Sequence, residues 1–513
     1  MATDIFNIEA KKDREGSYRD KINTIDEKGG RKWVYPKKPK GRFTRRREIV
    51  AFFLLAIFFS GPFLKINGNP VLLLNFIERK FVIFGMAFWP ADFHLAALAL
   101  LTIVVFVVLF TSVFGRVWCG WACPQTIFME MVFRKIEYWI EGDRAAQIRL
   151  NKQAWNAEKI RKKVLKTGIF FGISFTISNL FLAYIIGAEQ LGQIITDPPS
   201  EHLAGLASIT LFSFVFYSVF ARFREQVCHF ACPYGRYQSV LINEDSIAVS
   251  YDFKRGETRA NPRIRAKLKK HTVKQAKPMS DADLKAFLNE LGVDVAEDSR
   301  IGDCIDCEEC VRVCPMGIDI RNGIQLECVQ CTACIDACDA VMDKIKQPRG
   351  LIRYSSLNNI KFGEKLRFTP RIGAYTTVLA LLLIGFTFLI STRENTETII
   401  LRQPGLLYQE LPGNEYSNVY NVTVVNKTFD EFPLDIQVVK PEGATIRPIG
   451  TLDKVEPQGL LDGKFLVIIP ENKLKPRRNE VEFAVFANGE LIEHVASSFI
   501  GPDRISKPET SNE

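Results

Sequence analysis

The chemistry of this chain is written in its cysteines. Twelve occur in 513 residues, and eight of them fall in two runs of the same spacing. Cys304, Cys307, Cys310 and Cys314, followed by Pro315, obey C-x2-C-x2-C-x3-C-P. Cys328, Cys331, Cys334 and Cys338 repeat it with Asp339 in the place of the proline. Three thiolates two residues apart wrap one face of a cubane cluster, and the fourth reaches the neighbouring cluster. The spacing therefore predicts two [4Fe–4S] clusters with crossed ligands. Cys304, Cys307, Cys310 and Cys338 hold one; Cys314, Cys328, Cys331 and Cys334 hold the other. Zinc sites of four cysteines also use C-x2-C pairs, but not triple runs with a crossed fourth ligand. The chemistry implied is one-electron transfer.

The other four cysteines form an internal repeat. Arg116-Val-Trp-Cys-Gly-Trp-Ala-Cys-Pro124 and Gln226-Val-Cys-His-Phe-Ala-Cys-Pro233 each carry C-x3-C-P at the end of an apolar run. Proline favours the first helical position, which places Cys123 and Cys232 at N-caps, where the helix dipole favours thiolate. Cys119, Cys123, Cys228 and Cys232 are thus candidates to converge as a redox or metal site. Soft thiolates suit Cu(I), a further iron–sulfur cluster or zinc, and buried free cysteines also serve as plain core residues. His229 lies inside the second motif and is an additional candidate ligand. His94 and His202 sit near the outer ends of spans as possible haem ligands, but no C-x2-C-H attachment motif accompanies them.

These residues must be held by membrane helices. Apolar runs at Ile49–Ile66, Phe93–Phe114, Val164–Ile186, Leu203–Phe220 and Ala374–Ser391 approach the roughly 20 residues that cross a bilayer, the first interrupted by Gly61-Pro62. The 115–163 loop carries ten Lys and Arg, and residues 187–202 carry none. By the positive-inside rule the basic loop and the N-terminal tail face the cytoplasm. Five spans then put residues 222–373 there too, and the tail beyond 393 in the periplasm. Free thiols belong in a reducing compartment, and all twelve lie on the cytoplasmic side of this arrangement. The expected location is the inner membrane, multi-pass. Forty-eight residues precede the first span, too many for an ordinary cleavable leader.

Charge divides the same way. The chain carries +9 overall, yet residues 393–513 hold 13 Lys and Arg against 19 Asp and Glu. The basic remainder suits anionic lipid headgroups rather than nucleic acid, for which no recognition motif is present. After Cys123, Phe128, Met131, Val132, Ile136, Trp139 and Ile140 recur at helical spacing opposite Glu130, Arg134, Glu137 and Glu141, as in a helix lying on a membrane. Lys254–Lys277 reads as a basic linker, and Ser280–Gly292 as a short capped helix. No phosphate loop or dinucleotide fingerprint occurs, so electrons must come from a separate donor. Beyond the fifth span, strand patterns at Val419–Asn426, Leu434–Val439, Lys464–Ile469 and Val481–Phe486 are divided by the turn formers Gly443, Asp462-Gly463 and Asn488-Gly489. They indicate an immunoglobulin-like sandwich.

The expected layout is a multi-domain membrane protein with an α-helical transmembrane bundle of about five spans. A basic cytoplasmic tail (1–45) precedes a four-span region with both C-x3-C-P motifs (46–250). A linker and short helix (251–300), a bacterial-type 2[4Fe–4S] ferredoxin domain (301–345) and a second linker (346–373) follow. A fifth transmembrane helix (374–392) then leads to an all-β periplasmic domain (393–513).

The motifs Val117-Trp-Cys-Gly-Trp-Ala-Cys-Pro-Gln-Thr126, Cys228-His-Phe-Ala-Cys-Pro-Tyr-Gly-Arg236 and Pro348-Arg-Gly-Leu-Ile-Arg-Tyr354, in this order of parts, resemble the cytochrome c oxidase accessory proteins called CcoG, FixG or RdxA. The resemblance spans essentially the whole chain. It implies assembly of the copper-containing cbb3-type oxidase, with reduction of Cu(II) to Cu(I) and the C-x3-C-P cysteines as the matching copper-site candidates. It also implies assembly factors or a copper transporter as partners. Two function classes follow: a reductase passing electrons from the ferredoxin to the C-x3-C-P quartet, or a non-catalytic scaffold whose thiols hand on metal while the clusters are structural or sensory. Two clusters favour the reductase, since a structural role needs only one. A reporter that fluoresces only in the cytoplasm should glow when fused after residue 345 and stay dark after residue 513; glow at both would remove the fifth span, and the reverse pattern would overturn the orientation.

Overall fold

The computed structural model describes residues 24–25, 30–66, 68–76, 80–89, 92–275, 285–286, 301–325, 327–364 and 369–503. The expected helix Ser280–Gly292 lies outside them apart from residues 285–286. The chain forms two compact units interleaved in sequence. One takes residues to Ser60, Ala99–Phe181 and Gln193–Leu383; the other takes Gly61–Leu98, Leu182–Gly192 and the chain from Ile384.

Among the described residues, four helices are long and apolar enough to cross a membrane: Phe93–Phe114, Ala157–Ile186, Leu203–Phe223 and Pro370–Ser391. The expected first span differs. Its helix runs Arg42–Ser60, begins with Arg42, Arg45, Arg46 and Arg47, and ends in a 3-10 turn at Gly61–Phe63. Its 19 residues rise about 28 Å against a hydrocarbon core of about 30 Å, and the arginines of its first turns lower its hydropathy. Gly61-Pro62 ends the helix, so the expected run Ile49–Ile66 is helical only as far as Ser60.

In the first unit, Phe133 stacks on Phe220 (5.1 Å) and meets Phe170 edge-on (4.9 Å). The segment after Cys123 does not present the surface helix expected of it. Arg134, Glu137 and Glu141 are buried, whereas Trp139 is 77% exposed. The cause is a π-helical stretch, Ile127–Phe133, which takes up an extra residue and rotates everything after it off a 3.6-residue wheel. The inward charges are paired. Arg224 forks onto Glu137 (2.9 and 3.0 Å), Lys166 reaches Glu137 and Glu141, and Lys163 reaches Glu141. Burial alone would raise the Glu137 carboxyl, but Arg224 overrides it and holds it at about 2.

The N-terminal segment is a strap rather than a free basic tail. Arg31 pairs with Glu225, Tyr138 donates to Pro36 O, and Lys37 binds Glu309 while its N–H donates to Arg312 O. The helix Arg42–Ser60 then receives its cap from another element. The buried Asp336 carboxylate accepts the N–H groups of Phe43 and Thr44 and the Thr44 hydroxyl, an anion at a helix N-terminus. The ferredoxin segment is bracketed by an antiparallel pair, Ala248–Tyr251 against Ile352–Ser355.

The second unit contains a β-sandwich. One sheet orders Thr445–Ile449, Leu460–Pro470, Glu415–Asn426 and Thr396–Arg402, with Gln409–Leu411 on Glu415–Asn426. The other orders Lys454–Val455, Phe432–Lys440, Arg478–Ala487 and Glu490–Ile500. Tyr420, Phe465, Phe483 and Phe499 fill the space between, and Asn488-Gly489, both left-handed, turn the last hairpin. Asp462-Gly463 is not a turn: Gly463 lies within a strand opposite Val422. A Cβ there would stand 2.2 Å from Leu452 Cδ2, so close packing selects the glycine. Ahead of the sandwich, buried Asp92 binds Arg393 (2.8 Å) and Lys427 (2.9 Å).

Replacing Arg224 with Ala leaves Glu137 buried without its forked partner. The expected cost is about 3–5 kcal/mol, visible as an early thermal transition in detergent, and smaller if Glu137 is made Gln as well.

Candidate metal centre

Two small cavities lie in the ferredoxin segment. Cys304, Cys307, Cys310 and Cys338 line one, with Tyr251, Arg321 and Met342. Cys314, Cys328, Cys331 and Cys334 line the other, with Pro315, Met316 and Val329, and Cys310 borders it. Each cavity thus gathers three cysteines of one run and the last of the other. The backbone repeats too: Asp306 and Glu308 flank Cys307, and Gln330 and Thr332 flank Cys331, all four left-handed. Such conformations cost about 1 kcal/mol or more per non-glycine residue. In return, N–H groups turn toward sulfur: Asp306 to Cys304, Met316 and Ile318 to Cys314, Gln330 to Cys328.

Burial pushes the Cys310 and Cys328 thiols up to about 12, and Cys314, Cys334 and Cys338 are raised as well. As free thiols they stay protonated at neutral pH. A bound metal replaces those protons with charge that the dry site otherwise rejects. Four thiols round each cavity, with N–H donors aimed at sulfur, fit four-iron clusters.

The C-x3-C-P motifs share a second repeat. Cys123 N–H donates to Trp118 O, and Cys232 N–H to Val227 O, both at 2.9 Å. Cys123 and Cys232 occupy the N-caps, each with proline following. The fold brings the four thiols together: Cys228 feels Cys123, Cys119 and Cys232, and Cys119 feels Cys123 and Cys232. Burial dominates at the upstream pair, lifting Cys119 to about 11 and Cys228 to about 12. The buried Gln238 amide, on the helix that Cys232 caps, donates to Cys119 Sγ at 3.3 Å. His229 Nε2 is buried with no hydrogen-bond partner among the described residues. Burial lowers its pKa, which keeps the imidazole neutral and able to ligate. His94 is exposed and His202 binds Asp197 at 3.1 Å; neither lines the cysteine cavities.

One contact joins the quartet to the second cavity. A Cβ on Gly120, between Cys119 and Trp121, would stand 2.5 Å from Val329 O and 2.7 Å from Gln330 O. The motif backbone therefore rests on the Cys328–Cys331 loop. Arg47 Nε donates to Gly120 O (2.9 Å), Trp121 Nε1 to the Tyr354 hydroxyl (2.9 Å), and that hydroxyl to Gln330 O (3.2 Å). Gly120, Gln238 and Asp336 were not among the residues expected from the sequence. A glycine between Cys119 and Trp121 was the one visible signal.

Three family models match the chain. The "4Fe-4S dicluster domain" matches residues 223–287 and 282–357, and the "4Fe-4S binding domain" residues 96–144. The "IG-like fold at C-terminal of FixG, putative oxidoreductase" matches 386–502. The chain is 30% identical over 490 residues to the nitrogen fixation protein FixG of Rhizobium meliloti, covering 86% of this chain and 87% of that one. It is 37% identical over 344 residues to RdxA of Cereibacter sphaeroides (66% and 65%), and 36% identical over 412 residues to RdxB of that organism (77% and 79%). A FixG-related protein of Vibrio parahaemolyticus, of known structure, aligns with 21% of this chain and 97% of its own at 23% identity and a TM-score of 0.17.

Exchanging Gly120 for Ala forces two peptide backbones apart. The expected cost is about 1–3 kcal/mol, read as a lowered melting temperature. The EPR signal of the cluster bound by the Cys328 loop should change, and that of its partner should not.

Proposed function

The chain belongs to the FixG family, and from that premise we propose that it reduces Cu(II) to Cu(I) at the inner membrane during assembly of a cbb3-type oxidase. Iron–sulfur clusters held by Cys304, Cys307, Cys310 and Cys338 and by Cys314, Cys328, Cys331 and Cys334 supply one-electron transfer, at potentials that family by family span about −700 to +450 mV. The low end of that range reduces cupric ion readily.

The observation that carries the reading is the rest of Gly120 on Val329 and Gln330. It puts the Cys119/Cys123/Cys228/Cys232 quartet one residue from the second set of ligands, so the seats run in series. Cys119, Cys123, Cys228 and Cys232 are the proposed terminal redox site, where copper as substrate takes one electron per ion. His229 offers the unpartnered imidazole nitrogen that cupric ion favours. A low-potential one-electron donor in the cytoplasm supplies the first seat. The ferredoxin segment and the N-terminus face the cytoplasm in this reading, as the loop charges require, and the sandwich faces the periplasm as a docking module or structural cap. A scaffold with structural clusters would need neither two seats nor their alignment with the quartet.

Dithionite-reduced protein should reduce Cu(II), detected by a Cu(I)-specific chelator. Cys119→Ser with Cys123→Ser, or Cys228→Ser with Cys232→Ser, should abolish this and leave both ferredoxin EPR signals intact. Serine keeps the size but is a hard, poorly ionised ligand. Reduction at the unmodified rate in both double variants would mean that copper meets the ferredoxin directly.

A further inference from the structure

The geometry points to a third four-iron, four-sulfur cluster, seated by Cys119, Cys123, Cys228 and Cys232 jointly. The inference rests on the quartet's being the electron-receiving end of the chain and names what the thiols hold.

Spacing is the first ground. Among the described residues, the one group of three ligand atoms lying within 4.8 Å of one another is Asp197, Glu201 and His202. No trio of the quartet's sulfurs is that tight, although all four interact. A single ion in tetrahedral thiolate coordination, with metal–sulfur bonds of about 2.3 Å, draws its sulfurs to roughly 3.8 Å of one another. A cubane holds its terminal thiolates farther apart, one on each iron corner. The eight ferredoxin cysteines provide the internal standard: four line each of two cavities, and they too contain no trio within 4.8 Å. The quartet matches the ferredoxin cysteines in holding no trio that close.

Ligand counting is the second. The iron–sulfur model over residues 96–144 encloses two cysteines, Cys119 and Cys123, and the model over 223–287 likewise encloses two, Cys228 and Cys232. Neither pair can complete a four-iron cluster, which takes four thiolates. The fold supplies the missing half of each from the other. The repeated turns, with Cys123 N–H on Trp118 O and Cys232 N–H on Val227 O, present the two pairs in the same way.

The surroundings fit. Cluster sulfurs are tuned by hydrogen bonds, and Gln238 reaches Cys119 Sγ from the opposite motif. Gly235 lies so near Cys228 O that a Cβ would stand 2.6 Å away, which draws the second motif in tightly. The electron balance is simple. The seat gains one electron from the side of Val329 and Gln330 and loses one to Cu(II), giving Cu(I), with no proton or atom transferred. Copper then meets the cluster's edge, beside His229, instead of being enclosed by four thiolates.

The test is iron and acid-labile sulfide per chain in full-length protein purified anaerobically in detergent. About twelve of each are expected, against about eight for the ferredoxin alone. Cys119→Ser with Cys123→Ser, and Cys228→Ser with Cys232→Ser, should each bring the count to about eight and leave the ferredoxin EPR of the dithionite-reduced protein unchanged. The unmodified protein's count decides the matter even where a variant fails to fold. About eight irons, or zinc or copper filling the quartet in place of iron, overturns the third cluster. A twelve-iron protein that leaves Cu(II) untouched keeps the cluster and refutes the reductase; an eight-iron protein whose reductase activity needs the quartet does the reverse.

Discussion

The molecule's redox half depends on two strips of backbone lying against each other. Gly120 meets Val329 and Gln330 with no room for a methyl group, and the surrounding contacts hold that approach. Arg47 caps the Gly120 carbonyl from the helix Arg42–Ser60. That helix is fixed to the ferredoxin by Asp336, which lies between Cys334 and Cys338 in sequence. Tyr354 bridges Trp121 to Gln330 from the strand that closes the bracket around the ferredoxin. Electron transfer falls steeply with distance, so a side chain's width at this point matters more than most of the core packing. Rigid backbone sets such a distance better than flexible side chains do.

Dryness recurs at every cysteine cavity. Burial raises Cys119, Cys310 and Cys328, one in each group, so without metal these are neutral SH groups. Clusters must displace those protons to enter, and affinity therefore rises with pH. Where permanent charge has to be buried near the quartet, it is paired, as at Glu137 and Arg224. An isolated charge there would cost several kcal/mol and would bias the potential of any centre close by.

How much of this could be read from the sequence depends on how local each constraint is. The cysteine runs were legible because each repeats its spacing within a short stretch, Cys304–Cys314 and Cys328–Cys338. The sandwich strands at Val419–Asn426 and Val481–Phe486 were legible because alternation is a nearest-neighbour pattern. The amphipathic reading after Cys123 failed because a π turn changes the period, and hydropathy carries no mark of it. The end of the first span was misplaced because its apolar run crosses Gly61-Pro62, where helix ends and strand begins. Asp462-Gly463 looked like a turn because glycine's two uses, a left-handed φ and close packing, share one letter. Gln238 and Asp336 serve residues 119 and 292 positions away, a distance over which a single sequence carries no pairing signal.

Asp92 adds an order of events. Its two cations lie 301 and 335 residues further along the chain, so during synthesis it is made long before either arrives. At about 5–20 residues per second, that interval lasts from roughly fifteen seconds to about a minute. Until it ends, the acid at the start of Phe93–Phe114 stands without compensation. A chain that stops before Arg393 contains every cysteine but neither of the two cations that hold Asp92.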